Sequence, residues 1–139
     1  VSARRKAREL TLKALYAYDL SGTEVEQISN DIIAPSLIKP EAKEFSESLF
    51  FKVTQNIKEI DSLIKDHAIS WDFSRIASVE KNILRMGICE FLFFDDIPST
   101  ISIDEAIELA KKYADKDSKN FVNAVLDSVL KGLKKKGRV

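Results

Sequence analysis

Apolar residues along this chain recur every three or four positions almost from end to end, the spacing of one face of an α-helix. Ala7, Leu10, Ala14, Ala17 and Tyr18 share a stripe and predict a first helix over residues 3–20, ended by Gly22. Val25, Ile28 and Ile32 predict a short helix near 24–34. Pro35 and Pro40 then bracket a linker, and Pro40 also suits a helical first turn. Phe45, Leu49, Val53, Ile57, Ile60 and Ile64 predict one long amphipathic helix over 40–67, with room for a bend. Ser70 to Ser74 interrupts the pattern, and a turn at 74–77 leads to a helix over 78–94. That helix is apolar almost all round, as the centre of a bundle is. Asp95-Asp96-Ile97-Pro98 is a break. Ser102-Ile-Asp-Glu105 reads as a capping box, opening a helix with Ile103, Ala106, Ile107, Ala110 and Ala114 inward and Glu108 paired with Lys112 outside. Asp117 or Ser118 starts the last helix, with Val122, Val125, Leu126, Val129 and Leu133 on its inner face.

No stretch alternates like a strand, and none repeats. The pattern predicts an all-α protein of about seven helices in one domain spanning 1–139. Composition agrees, since 4 glycines and 3 prolines are too few for turn-dense sandwiches or barrels. No apolar run approaches the ~20 residues that cross a bilayer, and no leader is recognisable. A soluble, cytoplasmic protein without a membrane role is expected.

The net charge of zero conceals a polarity along the chain. Residues 1–13 carry +4, residues 131–139 carry +5, and the stretch between carries −9. Basic ends suit contact with polyanions. The plain alternative for Lys134 to Arg138 is a solubilising, frayed tail.

Catalysis finds little to build on. One cysteine and one histidine exclude an internal disulfide and a multi-cysteine zinc site, and no phosphate loop, HExxH or nucleophile elbow occurs. No cofactor, metal or enzymatic activity is expected. His67 suits a capping or surface role. Cys89 suits a buried thiol, Asp95-Asp96 a helix break, and Glu90 a carboxylate that accepts structural hydrogen bonds.

Binding chemistry is better represented. At about 100° per residue, Leu12 and Tyr16 fall away from the first helix's stripe and form an outward pair, with Arg5 pointing the same way. On the last helix Phe121 lies at the edge of the inner face, beside Lys119 and Asn120. A flat ring flanked by a cation and an amide suits single-stranded RNA, although edge phenylalanines are more often core.

Short blocks add specificity. Arg4-Arg5-Lys6-Ala7-Arg8-Glu9 with Ala14-Leu15-Tyr16, then Val79-Glu80-Lys81, Ile83-Leu84-Arg85, Glu90-Phe91-Leu92 and Ile97-Pro98, stand in order along the chain. Ile103 to Lys111 (IDEAIELAK), Asp117-Ser118 and Phe121 to Asp127 (FVNAVLD) complete the series. Together they resemble the NusB family of bacterial transcription antitermination factors, with Ala124 where the family usually has Gly. Residues 21–74 match by pattern more than by motif.

The resemblance implies two small helical bundles fused into one domain, and a non-enzymatic role. It implies pairing with NusE, a small-subunit ribosomal protein, on the single-stranded boxA element of nascent RNA. The pair would join NusA and NusG on RNA polymerase, resisting termination in ribosomal RNA operons and assisting ribosomal RNA maturation. By this similarity Arg4, Arg5, Lys6 and Arg8 would meet RNA, and Lys119 and Phe121 would lie on the same RNA face. Asp117 would temper RNA affinity, and Tyr16 and Glu80 would belong to the protein-partner surface. Some members self-associate, so a homodimer is a further expectation. Two rivals remain at this point. One is the RNA-binding domain of a ribosomal RNA cytosine methyltransferase, whose Gly-rich cofactor loop is missing from these residues. The other is a protein-only adaptor.

Overall fold

A computed structural model describes residues 2–139. Among them are seven α-helices and no strand: α1 (Ala3–Ser21), α2 (Val25–Ile28), α3 (Pro40–Gln55), α4 (Ile57–His67), α5 (Ser78–Phe93), α6 (Ser99–Tyr113) and α7 (Ser118–Lys135). A π-helical turn (Ser29–Ile33) extends α2, and a 3-10 turn (Phe73–Arg75) precedes α5. No helix among the described residues is long and apolar enough to cross a membrane. The all-α expectation holds.

The chain divides between Gln55 and Asn56 into two compact units. The division falls inside the single helix expected over 40–67, which is two helices. Asn56 leaves helical geometry at φ −116° and ψ 22°, and α4 restarts directly after it. The apolar spacing runs through the break because each half has its own core to face.

In the first unit α1 packs along α3. The Ser2 hydroxyl caps α1 by accepting from the Arg5 amide at 3.1 Å. Gly22 ends the helix at φ 64°, a conformation that glycine takes without strain. The buried face of α1 is Ala7, Arg8, Thr11, Leu12, Ala14 and Leu15. It is rotated from the expected stripe, and Leu12 is inward rather than outward. The rotation follows from two polar residues that find partners inside. Thr11 Oγ1 donates to the Ala7 carbonyl at 3.0 Å and lies 2.9 Å from Ser46 Oγ on α3. Arg8 lies over the Phe45 ring. A count of apolar side chains alone misses a face that is partly polar but satisfied.

In the second unit α5 is the centre, in contact with α4, α6 and α7. Every residue from Asn82 to Phe91 is buried, Cys89 included. Its charged members are held by hydrogen bonds. Arg85 clamps Asp61 of α4 with Nε and Nη2 at 2.8 and 2.9 Å, and Nη1 donates to Asn82 Oδ1 at 2.9 Å. Glu90 accepts a hydrogen bond from Ser102 Oγ at 2.7 Å. That bond corrects the capping box. Helix α6 begins at Ser99, after Pro98, so Ser102 lies inside the helix and its hydroxyl serves the buried carboxylate. The five residues expected on the inner face of α7 are all buried. Its end is capped rather than frayed. Gly137 adopts φ 69°, the Arg138 amide donates to the Leu133 carbonyl at 2.9 Å, and the Gly137 amide donates to Lys134 at 3.0 Å. This is a Schellman closure, and Arg138 Nη2 adds an ion pair to Glu59 at 2.9 Å.

Candidate nucleic-acid interface

The cations expected on α1 separate into two kinds. Residues four apart on a helix share a face, so Arg4 and Arg8 both reach Phe45 of α3, with guanidinium carbons 4.4 and 5.3 Å from the ring centroid. Arg4 remains exposed, whereas Arg8 is only 4% exposed. Lys6 is exposed and Arg5 half-buried. The first turn of α1 contains no acidic residue, so the cations add to the positive end of the helix dipole. Arg8 therefore departs from the expected exposed cluster. Its guanidinium is committed to the interior, where an aromatic face and its own long stem make burial tolerable.

The outward apolar pair on α1 also exists in altered form. Tyr16 is 42% exposed, as expected, but its outward companion is Leu20, 68% exposed and four residues on.

In the second unit the segment between α4 and α5 meets the start of α7. Phe121 is half-buried at the edge of the inner face, as its position predicts. Its ring lies edge-on to Trp71, with centroids 4.8 Å apart and planes at 65°. Sequence reasoning passed over Trp71. The signal was present, since the only tryptophan stands in a stretch without helical periodicity, where burial does not explain it.

Beside this pair is an open groove of about 570 Å³, walled by the 67–71 segment and by Asn120, Phe121 and Ala124. The methyl of Ala124, at the position usually Gly in the family resembled, faces this space. A second groove of about 290 Å³ shares Trp71, Asp117 and Phe121 and adds Arg75, Glu80 and Asp115. Glu80, Asp117 and Phe121, expected in three different roles, thus line one cavity. Lys119 is exposed one residue from Asn120.

The segment carrying Trp71 is held at several points. The Trp71 amide donates to the Ala68 carbonyl at 3.0 Å. Asp72 Oδ1 accepts from the Ser74 amide at 3.0 Å and from Ser74 Oγ at 2.7 Å. The Ser74 hydroxyl and then the Ser74 amide hold the Asp72 carboxyl below its usual 3.8. Lys65 and Lys81 lie over the Phe73 ring at 4.8 and 4.4 Å. His67 ends α4, half-buried, with Nδ1 2.9 Å from Ser128 Oγ. Among the described residues, no cluster of His, Cys, Asp and Glu could hold a metal ion. The exposed chemistry is cationic on α1 and aromatic and polar at the head of α7.

These features define an all-helical protein whose distinctive surface chemistry is that of binding. The sequence model of the NusB family matches residues 5–131. The chain is 39% identical over 138 residues to the transcription antitermination protein NusB of Chloroherpeton thalassium, covering 99% of this chain and 65% of that protein. It therefore spans about two thirds of that relative's length. It is 40% identical to the NusB protein of Nitratiruptor over 96% of both chains. A chain in the crystal structure of the antitermination factors NusB and NusE in complex with double-stranded RNA superposes with a TM-score of 0.85 at 31% identity, covering 94% of this chain and 97% of that one. The chain belongs to the NusB family.

Proposed function

We propose that this chain is a cytoplasmic transcription antitermination factor that binds boxA-type single-stranded RNA together with NusE. The complex would then join NusA and NusG on RNA polymerase during transcription of ribosomal RNA operons. The observation that carries this reading is the family match spanning residues 5–131. The exposed cations of α1 and the aromatic groove at α7 supply chemistry that suits it.

In this reading the protein works by binding. Arg4, Arg5, Lys6 and Lys119 engage phosphates, and Phe121 receives an unstacked base. Four phosphate contacts give a salt slope of about −3 on a single strand. Arg8, being buried, acts by ordering Phe45 and the α1 cations rather than by touching RNA. Asp117 tempers affinity through repulsion of phosphate. Tyr16 and Glu80 belong to the partner surface. Phosphate contacts position the strand, and base contacts give preference for boxA. NusE and RNA tighten each other's binding by the same factor.

The test is fluorescence anisotropy of a labelled boxA-type RNA, a scrambled strand and a duplex, with and without NusE, at two salt concentrations. Salt-sensitive binding that prefers the boxA strand and tightens with NusE is expected. Binding to NusE without preference among the RNAs would leave a protein adaptor. Equal affinity for the duplex would replace base readout by backbone recognition.

A further inference from the structure

We propose that Trp71 is a second base-stacking residue, which with Phe121 forms a two-ring platform for consecutive unpaired bases of a single RNA strand. The inference rests on the RNA-binding reading above and deepens it. Trp71 is 58% exposed, and its indole lines both the 570 Å³ and the 290 Å³ grooves together with Phe121. A further open cavity of about 470 Å³ adjoins it through Ser70, Asp72 and Arg75. The ring therefore stands between open volumes instead of against a core.

The edge-to-face contact at 4.8 Å fixes the two rings against each other. The hydrogen bonds at Ala68 and Ser74 hold the segment beneath the indole. A surface ordered in advance loses little side-chain entropy when a ligand arrives. The larger groove lies within the roughly 300–1,000 Å³ of small-molecule sites, enough for a nucleobase with its sugar.

Groups at the groove margins suit base edges. The Asn120 amide offers both donor and acceptor, and the Ser70 hydroxyl either. In the smaller groove Glu80, Asp115 and Asp117 outnumber Arg75. That balance disfavours a phosphate there, in keeping with the tempering role of Asp117. Stacking on indole tolerates any base, because every base has a π-face.

Trp71 is the only tryptophan, so its emission reports this site alone. The full chain is titrated with the boxA-type single strand and with the same sequence as a duplex, reading RNA anisotropy and tryptophan emission together. Quenching that saturates with the single strand's anisotropy, and is absent with the duplex, is expected. Trp71→Ala should weaken single-strand binding about tenfold or more, with the salt slope unchanged because no phosphate contact is lost. Trp71→Phe should recover most of the affinity. RNA binding with emission unmoved and Trp71→Ala at wild-type affinity overturns the stacking role and leaves the RNA-binding function standing. Absence of RNA binding, with or without NusE, overturns both. Emission that answers to NusE without RNA, with Trp71→Ala weakening NusE alone, gives the ring to the protein partner and overturns the proposal.

Discussion

Each of the two compact units lays a pair of cations over one phenylalanine, by different means. In the first, Arg4 and Arg8 lie over Phe45, which is buried together with Arg8. In the second, Lys65 and Lys81 lie over Phe73, which is half-buried, and Lys65 is exposed. The choice of cation matches the depth. A guanidinium is planar and weakly hydrated and can lie on a ring inside the protein, while an ammonium holds its water and stays near the surface. The deeper pair helps hold α1 on α3, and the shallower pair tethers the connection that carries Trp71. Where the second unit does bury an arginine, Arg85, it supplies a bidentate carboxylate. Arg8 thus has an aromatic ring against its guanidinium, and Arg85 a carboxylate.

The largest expected effects come from removing what sustains it. Phe45→Ala should cost about 3–5 kcal/mol, the range for emptying a buried aromatic site, and Phe73→Ala clearly less. Urea unfolding of both variants measures the gap, and equal losses would erase the distinction in depth. Asp61→Ala should cost about 3–5 kcal/mol, because Arg85 is left charged and buried. A loss below about 1 kcal/mol would mean that water replaces the carboxylate.

Next comes a contrast within α1. Arg8→Ala should lower stability by about 1–2 kcal/mol through lost stacking and packing, with little change in the salt slope of RNA binding. Lys6→Ala should leave stability alone and reduce that slope by about 0.7. The reverse pattern would show that Arg8 turns outward to RNA.

The smallest effect is a local one at low pH. The Asp72 carboxyl lies below its usual 3.8 in the folded chain because Ser74 donates to its charged form. Its contribution is therefore complete above the unfolded value and is lost as pH falls through the lower folded value. Acidification in that window should change Trp71 emission, and Ser74→Ala should remove the change. An identical transition in Ser74→Ala would place its source elsewhere.

Much of the second unit could be read directly from the chain. The near all-round apolarity of residues 78–94 announced a central helix, and every expected inner residue of α7 is buried. The first unit was harder, because Arg8 and Thr11 occupy a face that apolar counting assigns to solvent. Ser102 was misread for a related reason. Its hydroxyl has two plausible acceptors, a local cap and a distant carboxylate, and the spacing of residues shows only the local one. Trp71 escaped notice because its companion, Phe121, lies 50 positions away.

By itself the sequence determined the helical class, the inner face of α7 and the blocks that mark the family. Such features depend on neighbours within a turn or two, where spacing and side-chain type suffice. Tertiary structure decided the break at Asn56, the inward turn of Leu12 and Arg8, the bond from Ser102 to Glu90, and the meeting of Trp71 with Phe121. Each of these depends on which distant groups satisfy a buried polar atom or cover a ring, and that choice is made only when the helices pack.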